Sequence, residues 1–177
     1  MSGLHPRGLL DQAYREIPTG RPPEAALRRA TSTAYYAVFH LLSRHAAQYL
    51  IREPTGEWTT RHAAVARWVT HKDLAELATA VRSVGDPSRT HAIHIAFDHV
   101  DPRVTDLVEA FVVLQDARHR ADYDPSYLPT KYLTLVHVEQ AADALSKGEQ
   151  LWHEQELSYQ RFLALALGGL KVARRRH

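Results

Sequence analysis

The chain has 177 residues, 45% hydrophobic and 24% charged, which are the proportions of one folded domain and exclude wholesale disorder. It has no cysteine, which excludes a disulfide scaffold, a thiolate zinc site and a cysteine nucleophile. Its net charge is +2, yet the last seven residues, Lys171 to His177, carry four cations and no acid, so residues 1–170 sum to −2. The composition therefore predicts one domain over 1–170 and a basic tail over 171–177. Such a tail suits nucleic acid or anionic lipid, or is simply a solvated end. The uncharged run Phe162 to Leu170 is far short of the roughly 20 residues that cross a bilayer. No basic-then-apolar leader opens the chain, and the expectation is a cytoplasmic protein without a membrane partner.

Almost every segment reads at the helical period. Gly3 to Ile17 places Leu9, Leu10, Ala13 and Ile17 on one side, and Pro18-Thr19-Gly20 stops it. Pro22 and Pro23 suit the start of a long helix from Glu24 to about Ile51. Its stripe of Leu27, Ala30, Ala34, Ala37, Leu41 and Ala46 is small enough for a neighbour to approach closely. Thr60 to Val84 is helical, with a phase slip at Thr70-His71, where Thr70 and Asp73 can cap a fresh helix. His91 to Val100 alternates like a strand but has no partner strand, so an ordered loop is expected. Asp101-Pro102 starts a helix with Val104, Leu107, Val108, Phe111 and Leu114 buried; Asp124-Pro125 ends it. Thr130 opens the next helix, in which Gly148 is a candidate interruption, and Trp152 to Leu167 marks a last one before Gly168-Gly169. The expected fold is all-α, an antiparallel bundle of five or six helices.

The helix after Asp101 ends unusually. Its apolar line continues at positions 118 and 122, which are Arg118 and Asp122, four apart on one face. A guanidinium there is costly unless it is paired or lines a cleft or interface. One reading is an intrahelical Arg118–Asp122 ion pair that closes the bundle. The other is a cationic site where Arg118, His119 and Arg120 meet a phosphate and Tyr123 stacks on a base. The helix from Glu24 supplies a companion set: Arg29, Ser32 and Tyr36 share a face, as do Tyr36 and His40. There too a packed aromatic pair with a semi-buried His40 is the plainer reading.

Arg28-Arg29-Ala30, the run Tyr35-Tyr36-Ala37-Val38-Phe39-His40, the helix start His62-Ala63-Ala64-Val65 and Arg118-x-x-Ala121-Asp122-Tyr123-Asp124 stand in this order along the chain. This combination resembles the HEPN superfamily, in particular its small stand-alone prokaryotic members. Arg28 to Leu42 and Leu114 to Pro125 carry the likeness. The resemblance implies a helical bundle that forms a homodimer, with polar residues of both copies meeting in a shared cleft. It implies a nucleotide or RNA ligand and a place in toxin–antitoxin systems beside a nucleotidyltransferase antitoxin, with Tyr123 as a point of nucleotidylation. It also implies a metal-independent endoribonuclease, in which an arginine is followed after four to six residues by a histidine. General acid–base cleavage of RNA uses such a pair: a base for the 2′-hydroxyl and a cation for the phosphorane. After Arg118 the required positions hold Tyr123, Asp124 and Pro125 instead. Only Arg89 and His94 keep the spacing, which chance supplies readily among twelve histidines.

The expected function is therefore a HEPN-type nucleotide- or RNA-binding protein, non-catalytic or weakly catalytic. The binding residues are Arg118, Arg120, Asp122, Tyr123 and Tyr36. If the chain is a ribonuclease, Arg118, His119 and His40 are its catalytic residues. A structural helical adaptor is the third alternative. No cofactor and no metal are expected: His91, His94, Asp98 and His99 form only a loop cluster, and Glu139 and Asp143 read as solvated carboxylates.

Overall fold

The computed structural model describes residues 5–89 and 92–168. Among these the chain is all-helical, with seven α-helices rather than the expected five or six. They are α1 (Pro6–Arg15), α2 (Glu24–Leu50), α3 (Thr60–Ala66), α4 (His71–Val81), α5 (Pro102–Tyr123), α6 (Lys131–His153) and α7 (Leu157–Ala166). The basic tail expected at 171–177 lies outside the described residues, as does His91 of the loop cluster. No described helix is long and apolar enough to cross a membrane.

The extra helix comes from the phase slip at Thr70. The Thr70 hydroxyl accepts from the Asp73 backbone N–H at 3.1 Å, so α4 starts anew instead of continuing α3. The same rule opens α5, where Asp101 accepts from the Arg103 N–H at 2.8 Å, and α6, where Thr130 accepts from Leu133. The stretch expected to be a loop before Asp101 instead contains a short 3-10 helix, Ala92–Ala96, which buries Ile93. Alternation alone mimicked a strand; with no second strand to pair, a tight helical turn satisfies the backbone locally.

Helix α2 is the axis of the bundle, in contact with α1, α3, α5, α6 and α7. Its small stripe is fully buried: Ala30, Ala34, Ala37 and Ala46 have no exposed surface. Contacts between α2 and α5 run in opposite order, from Ser32 with Asp122 to Tyr36 with Arg118, so these helices are antiparallel. Arg7 with Glu149 sets α1 across α6, and Lys147 with Asp106 (2.9 Å) sets α6 across α5. The core is mainly leucine, alanine and aromatic, with Tyr35, Phe111, Tyr159 and Phe162 the largest buried side chains.

Gly148 does not interrupt α6; it admits a neighbour. A Cβ there would sit 2.5 Å from Leu41 Cδ2 and 3.5 Å from the Tyr159 hydroxyl. That hydroxyl lies 2.8 Å from His45 Nδ1, and the His45 ring stacks on Trp152 at 4.7 Å. Burial, with lesser help from Arg44 and His153, pushes the His45 imidazole down to about 3.

Two outcomes follow from this packing. A Gly148→Val chain, measured by urea unfolding, loses about 2 kcal/mol or more through overpacking against Leu41; unchanged stability contradicts the close approach. Burial is also the main cause that lowers His40, His71 and His137 below their ordinary 6.5. Folded-state values below the unfolded one mean that the unfolded chain takes up protons first as pH falls. The stability held above pH 6.5 is therefore lost on descending below it, by about 1 kcal/mol or more between about pH 7.5 and pH 5. A urea midpoint independent of pH over that window overturns the assignment.

Candidate functional site

The C-terminal end of α5 is held by one arginine of α2. Arg28, four-fifths buried, donates through Nη1 to the carbonyls of Ala121 (3.0 Å) and Asp124 (2.9 Å) and through Nη2 to Tyr127. Its Nε pairs with Glu24 at 2.7 Å. Carbonyls at a helix end have no partner within the helix, and a cation satisfies both their hydrogen bonds and the dipole. Arg28 therefore fixes where α5 stops and which side chains its last turns turn toward α2.

That register sets Arg118 against Tyr36. After Leu114 the buried line of α5 passes through Ala117 and Ala121, not through 118 and 122. Arg118 thus stands at the edge of the stripe, with one-fifth of its side chain exposed. Its Nε lies 2.6 Å from Asp122 Oδ2, a contact of charge in which the N–H does not line up on the oxygen. Nη2 donates to the Tyr36 hydroxyl (2.9 Å) and, more loosely, to Tyr123 (3.3 Å). The guanidinium carbon sits 5.5 Å and 5.2 Å from those two ring centres. Nη1 has no hydrogen bond among the described residues. Burial works against the charge, but Tyr36, Asp122 and Tyr123 outweigh it and keep the group cationic. Asp122 is itself held by the Ser32 hydroxyl.

Not every candidate joins this cluster. His119 is exposed and packs beside Tyr123, with ring centres 5.1 Å apart; Tyr123 is 62% exposed. Arg120 turns the other way: it pairs with Asp116 at 3.2 Å and lies over the Tyr127 ring at 5.4 Å. His40 lies beyond Tyr36, ring centres 6.4 Å apart, on the side away from Tyr123. Burial, then Arg44, holds His40 below its ordinary value. No group of three or more histidine or acidic residues among those described is set to hold a metal.

The structure adds His71, which the sequence marks only as part of a phase slip and not as a site residue. Its Nδ1 shares a 2.6 Å hydrogen bond with the Tyr35 hydroxyl, and its ring stacks on Phe39 at 3.9 Å. Burial, then Arg118 and His40, keeps it below its ordinary value. The one sequence signal was the break at Thr70-His71, which places His71 in the first turn of a new helix. A groove of about 650 Å³ runs beside the cluster, lined by Arg29, Ser32, Tyr36, Asp122 and Tyr123 among others. Compared with known protein families, with curated proteins and with solved structures, the chain matches none.

The two arginines are predicted to differ in role. Arg28→Ala leaves three carbonyls without their donor and costs about 2–3 kcal/mol in urea unfolding. Arg118→Gln removes the charge but keeps the aliphatic stem and an N–H donor, and costs about 1 kcal/mol or less. Equal losses would make Arg118 a brace like Arg28.

Proposed function

We propose that this chain is a HEPN-like helical module that binds RNA or a nucleotide by its phosphate at the α2–α5 edge. The observation that carries this reading is Arg118. It is charged, fixed in place by Asp122 and two tyrosines, partly open to solvent, and, among the described residues, left with a spare donor at Nη1. A guanidinium with a free edge is a geometric match for a phosphate, and it loses little entropy on binding when already held. Tyr123 offers a ring on which a base can stack, and exposed His119 and Arg29 add polar reach around the groove. Asp122 tempers the affinity, because an incoming anion shares the guanidinium with it.

A homodimer belongs to the same reading, bringing a second Arg118 edge into one cleft. Exposed Tyr132 and Val136, one turn apart on α6, provide apolar surface for such contacts. A nucleotidyltransferase antitoxin is the protein partner this reading favours, with exposed Tyr123 as the acceptor hydroxyl.

A second reading, a metal-independent ribonuclease, is favoured by the imidazoles. His40 and His71 are kept neutral near pH 7 beside a permanent cation, the protonation state a general base needs. In that reading Arg118 stabilises the phosphorane, and His40, or His119 from the far side, moves the proton.

The test is a labelled single-stranded RNA incubated with the full chain in EDTA, followed by gel shift and by product analysis. Binding without cleavage, weakened at least tenfold in Arg118→Gln, is the expected result. Cleavage abolished in Arg118→Gln and His40→Gln selects the ribonuclease. Binding that ignores Arg118 leaves only a helical adaptor.

A further inference from the structure

On the other side of Tyr36 and His40, α2 and the α3–α4 junction enclose a second groove, about 560 Å³ in volume. Its size is that of a small-ligand site. Its floor is apolar, made by Phe39, Ala63, Ala66 and Val69. Two arginines, Arg44 and Arg67, stand at it.

These two differ from the arginines around them. Arg28, Arg61, Arg118 and Arg120 each have a carboxylate. Arg44 has none among the described residues; its guanidinium lies over the Trp58 ring at 4.1 Å. Arg67 is exposed and likewise has no acidic partner there. Among the described residues no acid lines the groove. The carboxylate just inside α4, Asp73, takes up the Thr70 hydroxyl at 2.8 Å. Burial holds Arg44 below its ordinary value, so the group is partly desolvated with no counter-charge among the described residues. A half-buried guanidinium that lacks an anion is a standing cost, which an incoming anion relieves.

The walls are already in place. Trp58 stacks on the His62 ring at 5.1 Å. His62 in turn accepts from the Thr59 N–H (3.1 Å) and reaches the Ile51 carbonyl (2.9 Å). The loop that carries Trp58 is thereby tied to the end of α2. Little ordering remains to be done when a ligand arrives.

We propose that this groove binds a planar aromatic phosphate: a nucleoside monophosphate, free or as one unstacked nucleotide of a single-stranded RNA. The base lies on the apolar floor, and the phosphate meets Arg44 and Arg67. An apolar slot beside unpaired guanidinium groups accepts this chemistry and rejects either half alone. His40 and His71 line this groove and pack against Tyr36, which holds Arg118. A strand crossing the Arg118 edge would therefore place a neighbouring nucleotide here. The choice of ligand rests on the nucleic-acid reading of that edge.

Isothermal titration of the full chain with uridine monophosphate, uridine, inorganic phosphate and hexauridylate tests it. Uridine monophosphate is expected to bind at least tenfold more tightly than uridine or phosphate. Arg67→Glu, an exposed change that leaves the core alone, weakens it at least tenfold, and Arg44→Met does the same. Both variants weaken it more than Arg118→Gln does. Hexauridylate that binds with the same Arg67 dependence, where the mononucleotide does not, assigns the groove to RNA rather than a free nucleotide. Indifference of both ligands to Arg67→Glu and Arg44→Met overturns the proposal. If hexauridylate still responds to Arg118→Gln in that case, the reading of the Arg118 edge stands while this one falls.

Discussion

The grip of Arg28 on the end of α5 organises the functional face. Three carbonyls at and beyond the last turn, of Ala121, Asp124 and Tyr127, converge on one guanidinium of α2. Helix ends otherwise leave such carbonyls to water, and their register would then be loose. With α5 clamped, Asp122 faces Ser32, Arg118 faces Tyr36, and Tyr123 projects outward. One arginine is thus spent on architecture, and the next along the same helix pair is left at the rim.

Charge is distributed along α2 with the same economy. Arg28 and Arg118 are paired; Arg44 has no carboxylate partner among the described residues and lies over Trp58 instead. Three imidazoles on or against α2, of His40, His45 and His71, are kept from protonation chiefly by burial. The fold thereby sets permanent cations beside neutral acceptors along one face. His45 belongs to the packing, bonded to Tyr159 and stacked on Trp152. His40 and His71 lie where two grooves approach each other.

Periodicity carried most of the fold. The stripes of α2 and α5 are buried as their spacing indicates, and caps at Thr70, Asp101 and Thr130 act where the residue types suggest. Helix number was underestimated because α3 is only seven residues long, too short for a full stripe. At the site, Arg118, Asp122, Tyr123 and Tyr36 could be picked out because a charge on an apolar line is conspicuous. The line itself moves over to Ala117 and Ala121, which alanine composition hides, so Arg118 is at an edge rather than in the core. Arg120 was grouped with Arg118 by closeness in the sequence, yet residues two apart in a helix point to nearly opposite sides, about 200° apart, and it pairs elsewhere. His71 and Arg44 were missed because their partners, Tyr35, Phe39 and Trp58, come together only through the packing of α3 and α4 on α2.

Photo-crosslinking maps the contact face most directly. Single-stranded RNA carrying 4-thiouridine is irradiated with the full chain, and the adducts are located by mass spectrometry. Adducts at Tyr36, His119 or Tyr123 are predicted, because the Tyr36 and Tyr123 rings flank the Arg118 guanidinium and His119 packs beside Tyr123. Adducts confined to residues 171–177, with none on α2 or α5, would contradict the assignment and make the basic tail the whole of the RNA contact.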